Sequence, residues 1–109
     1  MTLLASHPYY KVEREITSLE QKNVEYERML YLYEDKLVTH RREFNTEHIF
    51  DMSYRWMSGE DSILYVHTSK GVFSYSIKDD PMDFIEAFKE LEKRILKKQA
   101  EQYEQRRGL

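Results

Sequence analysis

The chain has 109 residues and a formal charge of −3, and it is 40% hydrophobic, 34% charged and 14% aromatic, with nine Tyr. That length holds one core and the aromatic content is enough to build it, so a second domain and global disorder are both excluded. No cysteine is present, which excludes disulfide frameworks, thiolate metal sites and cysteine nucleophiles and is compatible with a reducing setting.

The opening Met-Thr-Leu-Leu-Ala-Ser has no basic region and too short an apolar run for a signal peptide. Nothing elsewhere approaches the ~20 apolar residues of a membrane span, so the expected location is cytoplasmic. Residues 1–26 read as an N-terminal arm or strand. Tyr10, Val12 and Ile16 alternate with Lys11, Glu13 and Glu15 as a strand would, while Val12, Ile16 and Leu19 also fit a helical stripe. The strand is the preferred reading. From Glu27 the pattern sharpens: Arg28–Tyr33, a polar Glu34-Asp35-Lys36 turn and Leu37–Phe44 predict a hairpin, which Asn45-Thr46-Glu47 breaks. His48–Met57 then places Phe50, Met52, Tyr54 and Trp56 on one side against Asp51, Ser53 and Arg55, the pattern of a half-buried strand.

Ser58-Gly59-Glu60-Asp61 turns the chain into the segment that organises the rest, Ser62–Leu91. Ser69-Lys70-Gly71 reads as a three-residue hairpin loop with Gly71 in the left-handed position, because glycine takes a positive φ without steric cost. That register sets Thr68 opposite Val72, His67 opposite Phe73, Tyr65 opposite Tyr75 and Ile63 opposite Ile77. One face then carries Ile63, Tyr65, Phe73, Tyr75 and Ile77, and the wetter face carries Leu64, Val66 and Val72 among Ser74 and Ser76. A helix follows. Asp80 caps it, Pro81 suits its first position, and Phe84, Ala87, Phe88, Leu91 and Ile95 form a stripe to be buried on the aromatic face. Beyond Leu96 apolar residues thin out, so 97–109 reads as a polar helical tail, projecting or frayed. The whole predicts an α+β fold: a twisted antiparallel β-meander of five to six strands closed by one C-terminal amphipathic helix over 27–96.

The run Ile63-Leu-Tyr-Val-His-Thr-Ser-Lys-Gly-Val-Phe-Ser-Tyr-Ser-Ile77, followed by Asp80-Pro-Met-Asp-Phe-Ile85, resembles the final hairpin and helix start of the bacterial pleckstrin-homology-like (PH-like) domains. The resemblance covers roughly Met29–Leu96. It implies a scaffold that presents loops and sheet edges to protein partners, often without catalysis. Lipid-binding members place Lys and Arg around the first hairpin loop; the matching turn here is Tyr33-Glu34-Asp35-Lys36, so the resemblance does not extend to phosphoinositide binding.

Charge and motif point the same way. Residues 1–90 hold 11 Lys or Arg against 17 Asp or Glu, and residues 91–109 hold 6 against 3. An acidic body argues against nucleic acid, whose affinity comes from clustered cations. Only the tail, with Lys97 and Lys98, offers such a patch, and there Glu90, Glu92, Glu101 and Glu104 suit pairing along the helix. His7, His40, His48 and His67 show no metal-ligand spacing, so no metal is expected. No glycine-rich phosphate loop or nucleophile elbow is present, no cofactor is implied, and Asp51, Glu60 and Asp61 read as ordinary carboxylates; an enzyme is not expected. Arg41 and Arg42 are candidates to grip an anion, but as neighbours on a strand they would point to opposite faces. Tyr31 and Tyr33 share one side of their strand and are candidates for an exposed aromatic contact. The reading is a non-catalytic interaction or scaffold module that binds a protein or a second copy of itself, by edge-strand addition or docking of the tail helix. The alternative is a domain that binds an anion, nucleic acid or small ligand through the basic tail or a strand-edge Arg.

Overall fold

The computed structural model describes residues 2–106, with side chains as far as Tyr103; residues 107–109 of the expected tail lie outside the described residues. Strands β1 (Leu3–Ile16), β2 (Gln21–Tyr33), β3 (Lys36–Val38) and β4 (Glu43–Asn45) precede a 3₁₀ turn (Thr46–His48). Strands β5 (Ile49–Ser58), β6 (Asp61–Thr68) and β7 (Gly71–Ile77) follow, then helix α1 (Met82–Arg106). Among the described residues these seven strands are antiparallel neighbours in one sheet of order β4-β3-β2-β1-β7-β6-β5. The α+β class is as expected, a sheet capped by one C-terminal helix, with seven strands in place of five or six.

The added strands have local causes. Residues 3–16 take the strand reading in full, and β2 begins at Gln21 because the Thr17 hydroxyl accepts from the Glu20 amide at 3.0 Å, closing a tight turn between them. The stretch Leu37–Phe44, expected to be one strand, is split. The Thr39 side chain accepts from the backbone amide of Arg42 at 3.0 Å, and the Thr39 amide donates to the Arg42 carbonyl at 2.8 Å. A threonine that satisfies the amides ahead of it offers the backbone an alternative to the ladder, and here a turn wins.

The β6–β7 register corrects the expected one by a single residue. Thr68 lies opposite Gly71, His67 opposite Val72, Val66 opposite Phe73 and Leu64 opposite Tyr75. The loop is therefore Ser69-Lys70 alone. Its closure comes from the Thr68 hydroxyl, which donates to the Gly71 carbonyl at 2.8 Å and accepts from the Lys70 amide, while Gly71 takes φ +125°. A slip of one residue turns every side chain of one strand over. Leu64 and Val66, expected on the wetter face, are at 0% exposure, and Ile63 and Tyr65 lie on the other side. The β7 half of the expected face stands, with Phe73, Tyr75 and Ile77 turned towards the core side.

In β5 the expected stripe also breaks. Register shifts at Phe50 and at Met57 flank a regular stretch, and Ile49 and Met52 are buried while Phe50, Tyr54 and Trp56 are exposed.

Helix α1 starts as its sequence directs, with the Asp80 carboxylate accepting from the Met82 amide at 3.0 Å and the Pro81 carbonyl accepting from Ile85. Phe84, Ile85, Phe88 and Leu91 are buried against Leu30, Leu32, Leu64 and Ile77 of the sheet. Each such side chain contributes about 2 kcal/mol relative to exposure. The molecule is elongated, with a radius of gyration of 17.5 Å and extents of 72 × 28 × 25 Å; a compact chain of this length would have a radius of about 13 Å. One contributor is the β1–β2 ribbon. Among the described residues β1 meets β7 at a single pair, Tyr10 opposite Ser76, and beyond it β1 and β2 continue with only each other as partners.

Candidate functional site

The β3–β4 turn folds back over the place where β1 and β7 separate. Its anchor is Tyr9, which is buried, stacks edge-on against Tyr75 at 5.1 Å, and accepts the His40 amide on its hydroxyl at 3.2 Å. Burial pushes the Tyr75 phenol above its ordinary 10.0, with the nearby Tyr9 adding to the effect. Around this aromatic pair lies a cleft of about 540 Å³ with Lys11, His40, Arg41, Arg42, Ser74 and Ser76 on its walls.

Arg41 and Arg42 therefore share one cleft, a correction to their expected placement on opposite faces. A tight turn has no strict two-sided alternation, and that is why both can converge. Each is already engaged. Arg41 faces the Glu13 carboxylate at 3.9 Å, and the Arg42 guanidinium lies 4.7 Å from the ring of Phe73, itself 4.9 Å from Phe44. Their evident work is to hold the β3–β4 turn against β1 and β7. An anion entering the cleft would have to compete with Glu13.

The other sequence candidates fall elsewhere. Tyr31 is partly exposed between Ser6 of β1 and Val38 of β3, and Tyr33 is half-buried with the Lys36 ammonium 5.9 Å from its ring. Lys98 borders a shallow polar groove between the helix tail and the β2–β3 turn, where Arg94 meets Glu34 at 3.8 Å; Lys97 is exposed. The six candidates are thus spread over three places. Only Arg41 and Arg42 are brought together.

Of the histidines, His7 is buried beside Phe84, with ring centroids 6.1 Å apart and no partner for Nε2 among the described residues. Burial holds its pKa below the ordinary 6.5, against the opposing pull of Asp79 and Asp80. His67 Nε2 lies 2.9 Å from the Ser53 hydroxyl. Among the described residues no three His, Asp or Glu side chains converge as a metal site would require, and no helix is long and apolar enough to cross a membrane.

The surface that sequence reasoning placed in a half-buried strand is the free edge of β5. This strand ends the sheet, so one side of its backbone has no strand neighbour among the described residues. Along it Phe50 is 62% exposed, Tyr54 44%, Trp56 63% and Met57 48%. The indole is not loose: Trp56 Nε1 donates to the Gly59 carbonyl at 2.8 Å, which orients the ring. Asp51, at the start of the regular stretch, is paired with Lys89 of α1; that bond holds its carboxyl below the ordinary 3.8 and raises the Lys89 ammonium. Periodicity named these aromatics but could not expose them, because alternation reads the same in an edge strand and a central one. Comparison with protein-family models, with curated proteins and with solved structures finds no match.

Proposed function

We propose that this chain is a non-catalytic protein-interaction module of the PH-like type, which takes its partner along the edge of β5. The observation that carries the reading is the union, on one strand, of unpaired backbone with four exposed large apolar side chains. Main-chain hydrogen bonds to an added strand would supply affinity there, and the aromatic side chains specificity. Orientation of Trp56 before binding lowers the ordering cost of such a contact. The PH-like assignment is supported by the strand order, in which two antiparallel meanders meet through the first and last strands ahead of one C-terminal helix. Binding of an anion, nucleic acid or small ligand has weaker support, because Glu13 and Phe73 already occupy Arg41 and Arg42.

The test is capture from extract, with and without nuclease treatment, by the tagged full chain and by a Tyr54→Ser/Trp56→Ser variant whose fold is checked by circular dichroism. A protein, whether another copy or a different chain, held by the first and lost by the second is the expected outcome. Equal capture by both, or capture of nucleic acid alone before nuclease treatment, overturns the reading.

A further inference from the structure

We propose that the partner taken along β5 is a second copy of this chain, the two β5 strands pairing antiparallel about a two-fold axis at Ser53 to make one sheet through both molecules. This rests on β5 being the interaction surface, and it adds which molecule lies there and in what register.

The bulges at Phe50 and Met57 leave a regular window from Asp51 to Trp56. Within it the two charged residues, Asp51 and Arg55, sit symmetrically about Ser53. In a two-fold antiparallel pair centred on Ser53, Asp51 of each copy lies opposite Arg55 of the other, Met52 lies opposite Tyr54, and the ends bring Phe50 towards Trp56. Opposite charges and aromatic or large apolar pairs placed across from each other are the units that stabilise an antiparallel ladder. Neighbouring registers lose this. An axis at Met52 sets Asp51 against Ser53, and one at Tyr54 sets Arg55 against Ser53, leaving the charges unmatched across the seam.

Asp51 can serve both contacts, since a carboxylate accepts on two oxygens and the bond to Lys89 uses one. The axis runs along the sheet normal, so like-facing residues meet and both α1 helices stay on one face. The assembly also closes. The other end of the sheet is β4, three residues long and carrying Glu43 within 3.9 Å of Lys36; so short and charged an edge does not propagate pairing. An isologous contact is closed by its own two-fold symmetry, so pairing at β5 yields a dimer and not a fibre.

Sedimentation velocity over a concentration series of the purified full chain is the test, with Asp51→Arg and Arg55→Asp made singly and then mixed. A concentration-dependent dimer is expected from the unaltered chain. Each single variant should weaken it about tenfold or more, because like charges then face each other twice. An equimolar mixture of the two should recover the dimer, as each copy then offers the charge its neighbour lacks. Lys89→Met, which removes only the contact within one copy, should leave the dimer in place. Should a variant fail to fold, hydrogen exchange on the unaltered chain reads the same contact: amides between Asp51 and Trp56 should gain protection as concentration rises. A chain that is monomeric throughout, a dimer indifferent to both charge changes, or a mixture that stays monomeric overturns the inference. A monomer that nonetheless loses a captured protein with Tyr54→Ser/Trp56→Ser overturns it while leaving the interaction-module reading standing.

Discussion

The two halves of the β1–β2 hairpin are the same secondary structure under different protection. Near the sheet, Ala5, His7 and Tyr9 lie across from Leu32, Leu30 and Arg28, and Leu30 and Leu32 are fully buried under α1. Past Tyr10 the pairing continues without interruption to Ile16 opposite Gln21, yet Val12 is 57% exposed, Ile16 69% and Leu19 94%. Polar links take over in this outer half: Tyr26 donates to Glu15 at 2.6 Å, Arg14 bonds Gln21, and Lys78 reaches Glu25. Exposed pairs of this kind contribute little each, and a two-stranded ribbon without a core is marginal by itself. Backbone pairing draws a strand, then, but burial decides how firmly it is held.

The largest break in this comparison comes from the inner half. Leu30→Ala should cost about 2–5 kcal/mol, the range for emptying a fully buried leucine site, read as a fall in the urea midpoint. A smaller effect is expected at the turn that closes over the inner half. Thr39→Val removes the oxygen that accepts from the Arg41 and Arg42 amides; a loss of about 1 kcal/mol is expected, with faster tryptic cleavage after Arg41 and Arg42.

The third effect is a slope. Burial disfavours the charged form of His7, so its folded pKa lies below 6.5. Well above pH 6.5, where it is neutral in both states, it contributes nothing to the pH dependence. As pH falls below that value the unfolded chain takes up a proton that the folded chain refuses, and stability declines until the folded pKa is passed. His7→Gln should flatten the urea midpoint against pH between neutral and mildly acid conditions; an unchanged slope would contradict the assignment. The smallest effect belongs to the outer half, where Ile16→Ser should shift stability by less than ~0.5 kcal/mol. Amide exchange should separate the halves in the same order, with Val12–Val24 exchanging before Leu30 and Leu32.

Much of this molecule was legible from local chemistry. The Asp80-Pro81 start of α1, the stripe from Phe84 to Ile95, and the break at Asn45-Thr46-Glu47 all hold, because caps and helical spacing act over a few residues. The stripe missed Ile85, which is buried one position off the expected line. Arg41 and Arg42 were identified by type but not by placement. The Thr39 hydroxyl turns their segment out of the ladder, and no periodicity reports that competition.

By itself the sequence determined the fold class, the breaks at Glu34–Lys36, Asn45–Glu47 and Ser58–Asp61, and the helix with its buried stripe, since each follows from hydrogen bonding and apolar spacing within a short window. Only the tertiary structure decided which way β6 faces, because a one-residue change of hairpin loop turns the strand over and burial of Leu64 and Val66 in the core selects the register. It also decided that β5, with Phe50, Tyr54 and Trp56 along it, stands at the end of the sheet. Strand order depends on β1 meeting β7 across the length of the chain, and the local pattern of either strand carries no record of that meeting.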